Sequence, residues 1–307
     1  MMNVVKDQKE RLTCCQLCPR NCKINRIEGQ TGFCGAGPIV TVSRAAPHFW
    51  EEPCISGGRG SGTVFFNHCT LGCSYCQNAK ISRRATGGIP LSDEKLAGVF
   101  IKLQGMGVHN INLVTPTHYA LNIIEAVKMA RGEGLALPVV YNCGGYETEE
   151  TIDLLGETVD VWLPDYKYAD SRPAALFSNA PDYPEVAAKA IAHMLRQAGP
   201  PQFDAEGMLT KGVLVRHLML PGQLIDSVKA IERLWNLFGN DIVLSLMSQY
   251  TPAENDGGNV LLNHRINPRH YDVLIGCADD LGFEYCYMQD FDSAGEEFIP
   301  SFEGEGI

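Results

Sequence analysis

At 307 residues, 45% hydrophobic and 20% charged, the chain is long enough to bury a sizeable core. Its 36 acidic against 25 basic side chains leave a net charge of -11, which argues against a nucleic-acid partner, because phosphate-binding surfaces are basic. No apolar run approaches a membrane span, and Met1 to Leu12 lacks the apolar core of a secretory signal, so a cytoplasmic protein with no membrane partner is expected. Twelve cysteines in such a chain read as metal ligands rather than disulfides.

Residues 1–55 are rich in turn formers and carry Cys14, Cys15, Cys18, Cys22 and Cys34. They are expected to form a small Cys-rich, metal-binding appendage. Residues 56–290 alternate β-branched runs with stretches of helical spacing, the pattern of an α/β chain with a parallel sheet. Strands are predicted over Thr63 to Phe66, Asn110 to Val114, Pro138 to Tyr141, Val159 to Leu163, Gly212 to Leu218 and Asp241 to Leu246, with a weaker seventh over Phe283 to Tyr287. Helices are predicted over Ser92 to Gln104, His118 to Arg131, Thr148 to Leu155, Asp226 to Phe238 and Pro268 to Leu281. Ser92 and Thr148, each followed by two acids, have the composition of helix starts. Ala169 to Pro201 interrupts the alternation with a loop and an extra helix, Pro184 to Ala198. Six βα units in succession suit a full or partial β/α barrel, whose chemistry sits on the loops after the strand C-termini. The glycine-rich Gly57 to Gly62 precedes a strand, so it is a turn and not a dinucleotide fingerprint. Residues 291–307 form an acidic tail that carries Phe291, Phe298, Ile299 and Phe302.

Directly after the run Thr63 to Phe66 comes Cys69-x3-Cys73-x2-Cys76. Three thiolates hold three irons of a [4Fe-4S] cluster and leave the fourth open to an outside ligand. A zinc site and buried thiols are the other readings; zinc would want a fourth ligand, and only His68 is near. Cys15-x2-Cys18-x3-Cys22-x11-Cys34, with Cys14 as a substitute, fits a second metal, either a closed zinc site or an additional iron–sulfur cluster. Free thiols are the alternative. Asp165 and Lys167 follow an apolar strand and sit at its C-terminus, either at a site or as a solvated strand end. Arg216 lies inside an apolar strand and needs an anionic partner such as Asp165. Asn142 offers a donor and an acceptor beyond its strand, or is a turn residue.

The stretch Gly60-Ser-Gly-Thr-Val-Phe-Phe-Asn-His-Cys69-Thr-Leu-Gly-Cys73-Ser-Tyr75-Cys76-Gln-Asn78 resembles the signature loop of radical S-adenosylmethionine (SAM) enzymes. The chain looks most like the PflX-type branch related to pyruvate formate-lyase activating enzymes. That likeness also rests on Cys18-Pro-Arg-Asn-Cys22, Asn110-Ile-Asn-Leu-Val-Thr-Pro-Thr-His118, Val140-Tyr-Asn142, Leu163-Pro-Asp-Tyr-Lys167, Val215-Arg-His-Leu218 and Met247-Ser-Gln-Tyr250.

The resemblance implies a partial (β/α)6-type radical SAM barrel. It also implies SAM bound at the open iron and reductively cleaved to a 5'-deoxyadenosyl radical, which takes a hydrogen atom from a substrate. Glycyl-radical-enzyme activation is the label of the branch, and another protein, a peptide or a small molecule is an equally open substrate. The implied electron donor is a reductant such as flavodoxin or ferredoxin. Tyr75 would pack near the adenine, Asn142 would meet the ribose, and Asp165, Lys167 and Arg216 would form the SAM pocket, with Lys167 or Arg216 on the methionine carboxylate. Where most of the superfamily has Gly-Gly-Glu for the SAM amino group, this chain has Thr115-Pro116-Thr117-His118. Thr115 or local carbonyls would replace those acceptors, and His118 is a polar site residue, a proton relay or a helix-start residue. The rival reading is a non-catalytic iron–sulfur or zinc protein. A metal-dependent hydrolase ranks last, since only His118 and His217 lie near strand ends.

Overall fold

Short apolar runs, buried on both faces, set the sheet of this chain. The computed structural model describes residues 10–82, 87–252, 260–289, 300 and 302–307. Its strands are β1 (Val40–His48), β2 (Ser61–Phe66), β3 (Ile89–Leu91), β4 (Ile111–Val114), β5 (Val139–Cys143), β6 (Val161–Pro164), β7 (Gln202–Phe203), β8 (Leu209–Leu218), β9 (Val243–Met247) and β10 (Cys286–Met288). They pair in the order β10-β9-β8-β6-β5-β4-β2-β1-β3, with β7 antiparallel to β8. From β2 to β10 every neighbour is parallel, while β1 is antiparallel to both β2 and β3. Every residue of β2, β4, β5 and β6 is buried, as parallel strands covered on both faces require.

The covering helices are α1 (Pro53–Ser56), α2 (Ala79–Ser82), α3 (Asp93–Gly105), α4 (Ala120–Gly132), α5 (Glu149–Leu155), α6 (Ser171–Ser178), α7 (Tyr183–Ala198), α8 (Leu224–Phe238) and α9 (Pro268–Leu281). In α8 the buried residues Ala230, Ile231, Leu234 and Phe238 recur at helical spacing. The predicted starts hold: Ser92 accepts the Lys95 N–H and Thr148 the Thr151 N–H, both at 3.3 Å. The result is a mixed α/β partial barrel: among the described residues the outer strands β3 and β10 stay unpaired with each other, and the sheet does not close.

Register positions the site. Phe65, Val114, Asn142 and Leu163 lie side by side across β2, β4, β5 and β6. The loops that follow these strands therefore leave from one edge of the sheet.

Besides the short β3, β7, α1 and α2, two elements differ from the sequence expectation. No strand is predicted before Thr63, yet β1 forms inside the Cys-rich segment and extends the sheet beyond β2. Its sequence mixes Arg44 and Pro47 with small apolar residues, and pairing rather than periodicity makes it a strand. The stretch expected as a loop after Ala169 contains α6, whose Pro173 falls in the first turn, where no N–H is needed. In the acidic tail, Phe291, Phe298 and Ile299 lie outside the described residues. Residues 302–307 return to β1: Ala45 N–H donates to Glu305 O and Gly304 N–H to Ser43 O, both at 2.9 Å, and Phe302 meets Phe65 edge-on. Among the described residues no helix is long and apolar enough to cross a membrane.

Candidate active site

The loops at that edge line a cleft of about 1400 Å³, its open mouth included. The loop after β2 brings Cys69, Cys73, Tyr75 and Cys76. Thr115 follows β4, Asn142 and Cys143 end β5, Asp165 and Lys167 follow β6, Arg216 and Leu218 end β8, and Met247 ends β9. Chemistry at the C-terminal ends of parallel strands is the rule for such sheets.

The three thiols crowd one side. Burial, then the neighbouring Cys73 and Cys76, pushes the Cys69 thiol up to about 12, and burial raises Cys76 as well. Three thiolates so placed need cationic metal to exist together. The loop supplies what an anionic cluster wants: Leu71 N–H donates to Cys69 Sγ at 3.4 Å, Ser82 Oγ to Cys76 Sγ at 3.2 Å and Ser178 Oγ to Cys73 Sγ at 3.0 Å. The donor set therefore fits a four-iron cluster held by three cysteines.

Opposite the thiols is a mostly buried ionic group. Asp165 accepts from Lys167 Nζ at 2.5 Å and from Arg216 Nε at 3.0 Å; Arg216 also reaches Glu51 at 3.3 Å and Asn142 Oδ1 at 2.5 Å. Asn112 steadies Glu51 from beneath with a 3.2 Å hydrogen bond. Burial alone would raise the Asp165 carboxyl, but Lys167 and Arg216 together hold it below its ordinary value. Burial likewise opposes the Lys167 charge, and Asp165 more than restores it. Burial raises Glu51 despite Arg216 beside it. Gly145 lets β5 and β6 meet here: its φ is 76°, and a Cβ would lie 2.2 Å from Asp165 O.

Tyr75 lines the cleft, 7% exposed, and its hydroxyl accepts from Tyr168 at 2.8 Å. Thr115 sits at φ 59°, an uncommon conformation for a β-branched residue, with its N–H on Asn142 O at 2.8 Å. Thr115 lines the cleft at the end of β4.

One candidate is not brought here. His118 is 2% exposed and faces the far side of the loop, where its Nε2 bonds Asn67 O at 2.7 Å. Burial lowers it to about 3, so it is neutral. It sits within the 3-10 turn Thr117–Tyr119 that carries the chain past the edge beyond β4, and it lines a separate cavity with Cys15, Cys18, Cys22 and Cys34. His217 is also buried away from the cleft, on Tyr166 O. Sequence reasoning missed Glu51, Ser82 and Ser178, which come from other elements and carry no spacing signal.

Residues 63–234 match the model of the radical SAM superfamily. The uncharacterised protein MJ0674 of Methanocaldococcus jannaschii is 26% identical over 281 residues, covering 89% of this chain and 76% of that protein. Among solved structures, SuiB of Streptococcus suis, bound to S-adenosylmethionine, superposes with a TM-score of 0.50 at 10% identity, over 72% of this chain and 48% of SuiB. This chain thus spans about half the length of SuiB. The FeFe-hydrogenase maturase HydG of Carboxydothermus hydrogenoformans covers 77% of this chain and 59% of its own, at 14% identity and a TM-score of 0.47. The three-cysteine loop lies at the strand ends of a partial barrel, and more than half of the sequence fits the family's pattern: the chain belongs to the radical SAM superfamily.

Proposed function

We propose that the cleft binds SAM on a [4Fe-4S] cluster held by Cys69, Cys73 and Cys76, and that the chain abstracts a hydrogen atom from a substrate at the cleft mouth. The observation that carries this reading is the convergence of three thiols and the Asp165–Lys167–Arg216 group in one cleft. When bound, cluster and SAM supply a one-electron cleavage and a carbon radical able to take a hydrogen atom.

The protein's part is position and dryness. Lys167 and Arg216 present charge-assisted donors to the methionine carboxylate, while Asp165 fixes both heads. Thr115 and nearby carbonyls receive the amino group. Tyr75 packs on the adenine, held by Tyr168, and Asn142 keeps its amide free for a ribose hydroxyl because Arg216 occupies its oxygen. Phe65, Val114 and Leu218 keep water from the reacting atoms.

The finer reading is a PflX-type enzyme that works in the cytoplasm, takes electrons from flavodoxin or ferredoxin, and activates a glycyl radical enzyme. Support for it is the sequence resemblance alone. The test is SAM cleavage under anaerobic, reducing conditions. The parent protein forms 5'-deoxyadenosine and Cys73→Ala forms none; a parent with a full iron complement that leaves SAM intact rules the reading out. Deuterium carried from a labelled glycyl-radical protein into 5'-deoxyadenosine identifies the substrate.

A further inference from the structure

We propose that Cys15, Cys18, Cys22 and Cys34 hold a second metal centre of four thiolates, a zinc ion or an iron–sulfur cluster, packed behind the Cys69–Cys76 loop. The inference does not depend on SAM chemistry. All four cysteines line one small cavity, although Cys34 is distant in sequence from the other three. Cys18 lies within electrostatic reach of Cys15 and Cys34, and Cys34 within reach of Cys15 and Cys22. Cys14, the substitute by spacing, is exposed and borders a different hollow.

The local backbone is built for ligation. Cys15 N–H donates to Ile24 O and Lys23 N–H to Cys15 O, both at 2.9 Å, and Asn21 and Lys23, on either side of Cys22, take positive φ values of 46° and 55° that fold the chain around it. The backbone N–H groups of Arg20 and Ala36 lie where they favour the Cys18 and Cys34 thiolates. Each donor is two residues beyond its cysteine. The same spacing recurs on the other loop, where Leu71 N–H donates to Cys69 at 3.4 Å and the Asn78 N–H favours the Cys76 thiolate. Such N–H groups stabilise thiolate. At Gly32 any Cβ would lie 2.8 Å from Cys22 Sγ, so the cavity wall admits only glycine there without displacing the thiol.

Arg26 is the second, independent observation. It is 1% exposed and lines the cavity, with Nη1 4.0 Å from Cys15 Sγ and Nε without a partner. Its other bonds go to the carbonyls of His118 and Gly37, and among the described residues no carboxylate pairs with it. A buried guanidinium needs an anion. A four-thiolate centre carries net negative charge and supplies one.

Among the described residues no three Cys, His, Asp or Glu side chains are drawn onto one ion-sized point, here or at Cys69, Cys73 and Cys76. A cluster grips thiolates at separate corners, whereas zinc draws four onto itself at about 2.3 Å. Metal counting separates the two.

The test uses the full chain with Cys69, Cys73 and Cys76 changed to alanine, which leaves the N-terminal site untouched. Native mass spectrometry with zinc, iron and sulfide analysis is expected to find one zinc, or iron with sulfide, per chain. Adding C15S, C18S, C22S and C34S together removes it, and adding C14S does not. In the parent, the same spectrum shows this mass on top of one four-iron cluster. A parent that carries a single cluster and nothing more, or metal that survives the four serines, overturns the proposal.

Discussion

Arg216 is the residue on which the cleft's charge balance turns. It touches Asp165, Glu51 and Asn142, all buried or nearly so. Arg216→Met strips the cation from two mostly buried carboxylates at the cleft wall, and breaking a pair of this kind costs up to about 3–5 kcal/mol. Chemical denaturation of the variant should show a loss of that size, together with lost SAM binding. Glu147 makes a different prediction. Burial pushes its carboxyl up to about 8, against hydrogen bonds from Thr117, Cys143 and Tyr141. A folded value above the ordinary 4.5 means stability that is complete below 4.5 and is lost as pH rises through about 8. Glu147→Gln removes the titration, so parent and variant should melt alike near pH 5 and the variant higher at pH 8.5, by roughly 2–4 °C per kcal/mol. Equal melting temperatures at both pH values would contradict the buried acid. Ser178→Ala deletes the hydroxyl on Cys73 Sγ. Hydrogen bonds to sulfur raise cluster potentials, so an EPR-monitored redox titration should give a more negative midpoint for the variant.

At the scale of elements, the β5–β6 approach is tested by two glycines of similar φ. Gly145 and Gly199 have φ of 76° and 74°, but only Gly145 meets a carbonyl where a side chain would go. Gly199→Ala should cost about 1–3 kcal/mol from backbone strain alone, since φ 74° with ψ −170° is open only to glycine. Gly145→Ala should cost distinctly more and weaken SAM binding, because Asp165 must shift. The parallel core was legible because strands covered on both faces read as unbroken apolar runs: Val139-Val140-Tyr141 and Val161-Trp162-Leu163 announce themselves. Helix starts at Ser92 and Thr148 were legible for the same local reason. Strand β1 was not, since its hydrogen bonds come from β2, β3 and the chain's last residues, and no local pattern encodes those partners.

Across the whole molecule, the same division separates what the sequence disclosed about the site from what it hid. Cysteine spacing marked both thiol sets, and a polar residue after an apolar strand marked Asn142, Asp165 and Lys167. His118 fitted that rule too, yet a 3-10 turn carries it behind the loop. Glu51 and Ser178 reach the site from the β1–α1 connection and the end of α6, a closeness only tertiary packing creates. The two cysteine-bearing regions are joined: Arg20 donates to Thr70 O at 2.9 Å and to Ser178 O at 3.0 Å, and His118 holds Asn67 O ahead of Cys69. The central claim is that Cys69, Cys73 and Cys76 grip a cluster whose open iron meets SAM. EPR of the reduced, oxygen-free protein tests it most directly. The parent should show a cluster signal that shifts on adding SAM, and the C69A/C73A/C76A variant should lack that signal. A parent signal indifferent to SAM, or one undiminished in the variant, would contradict the account.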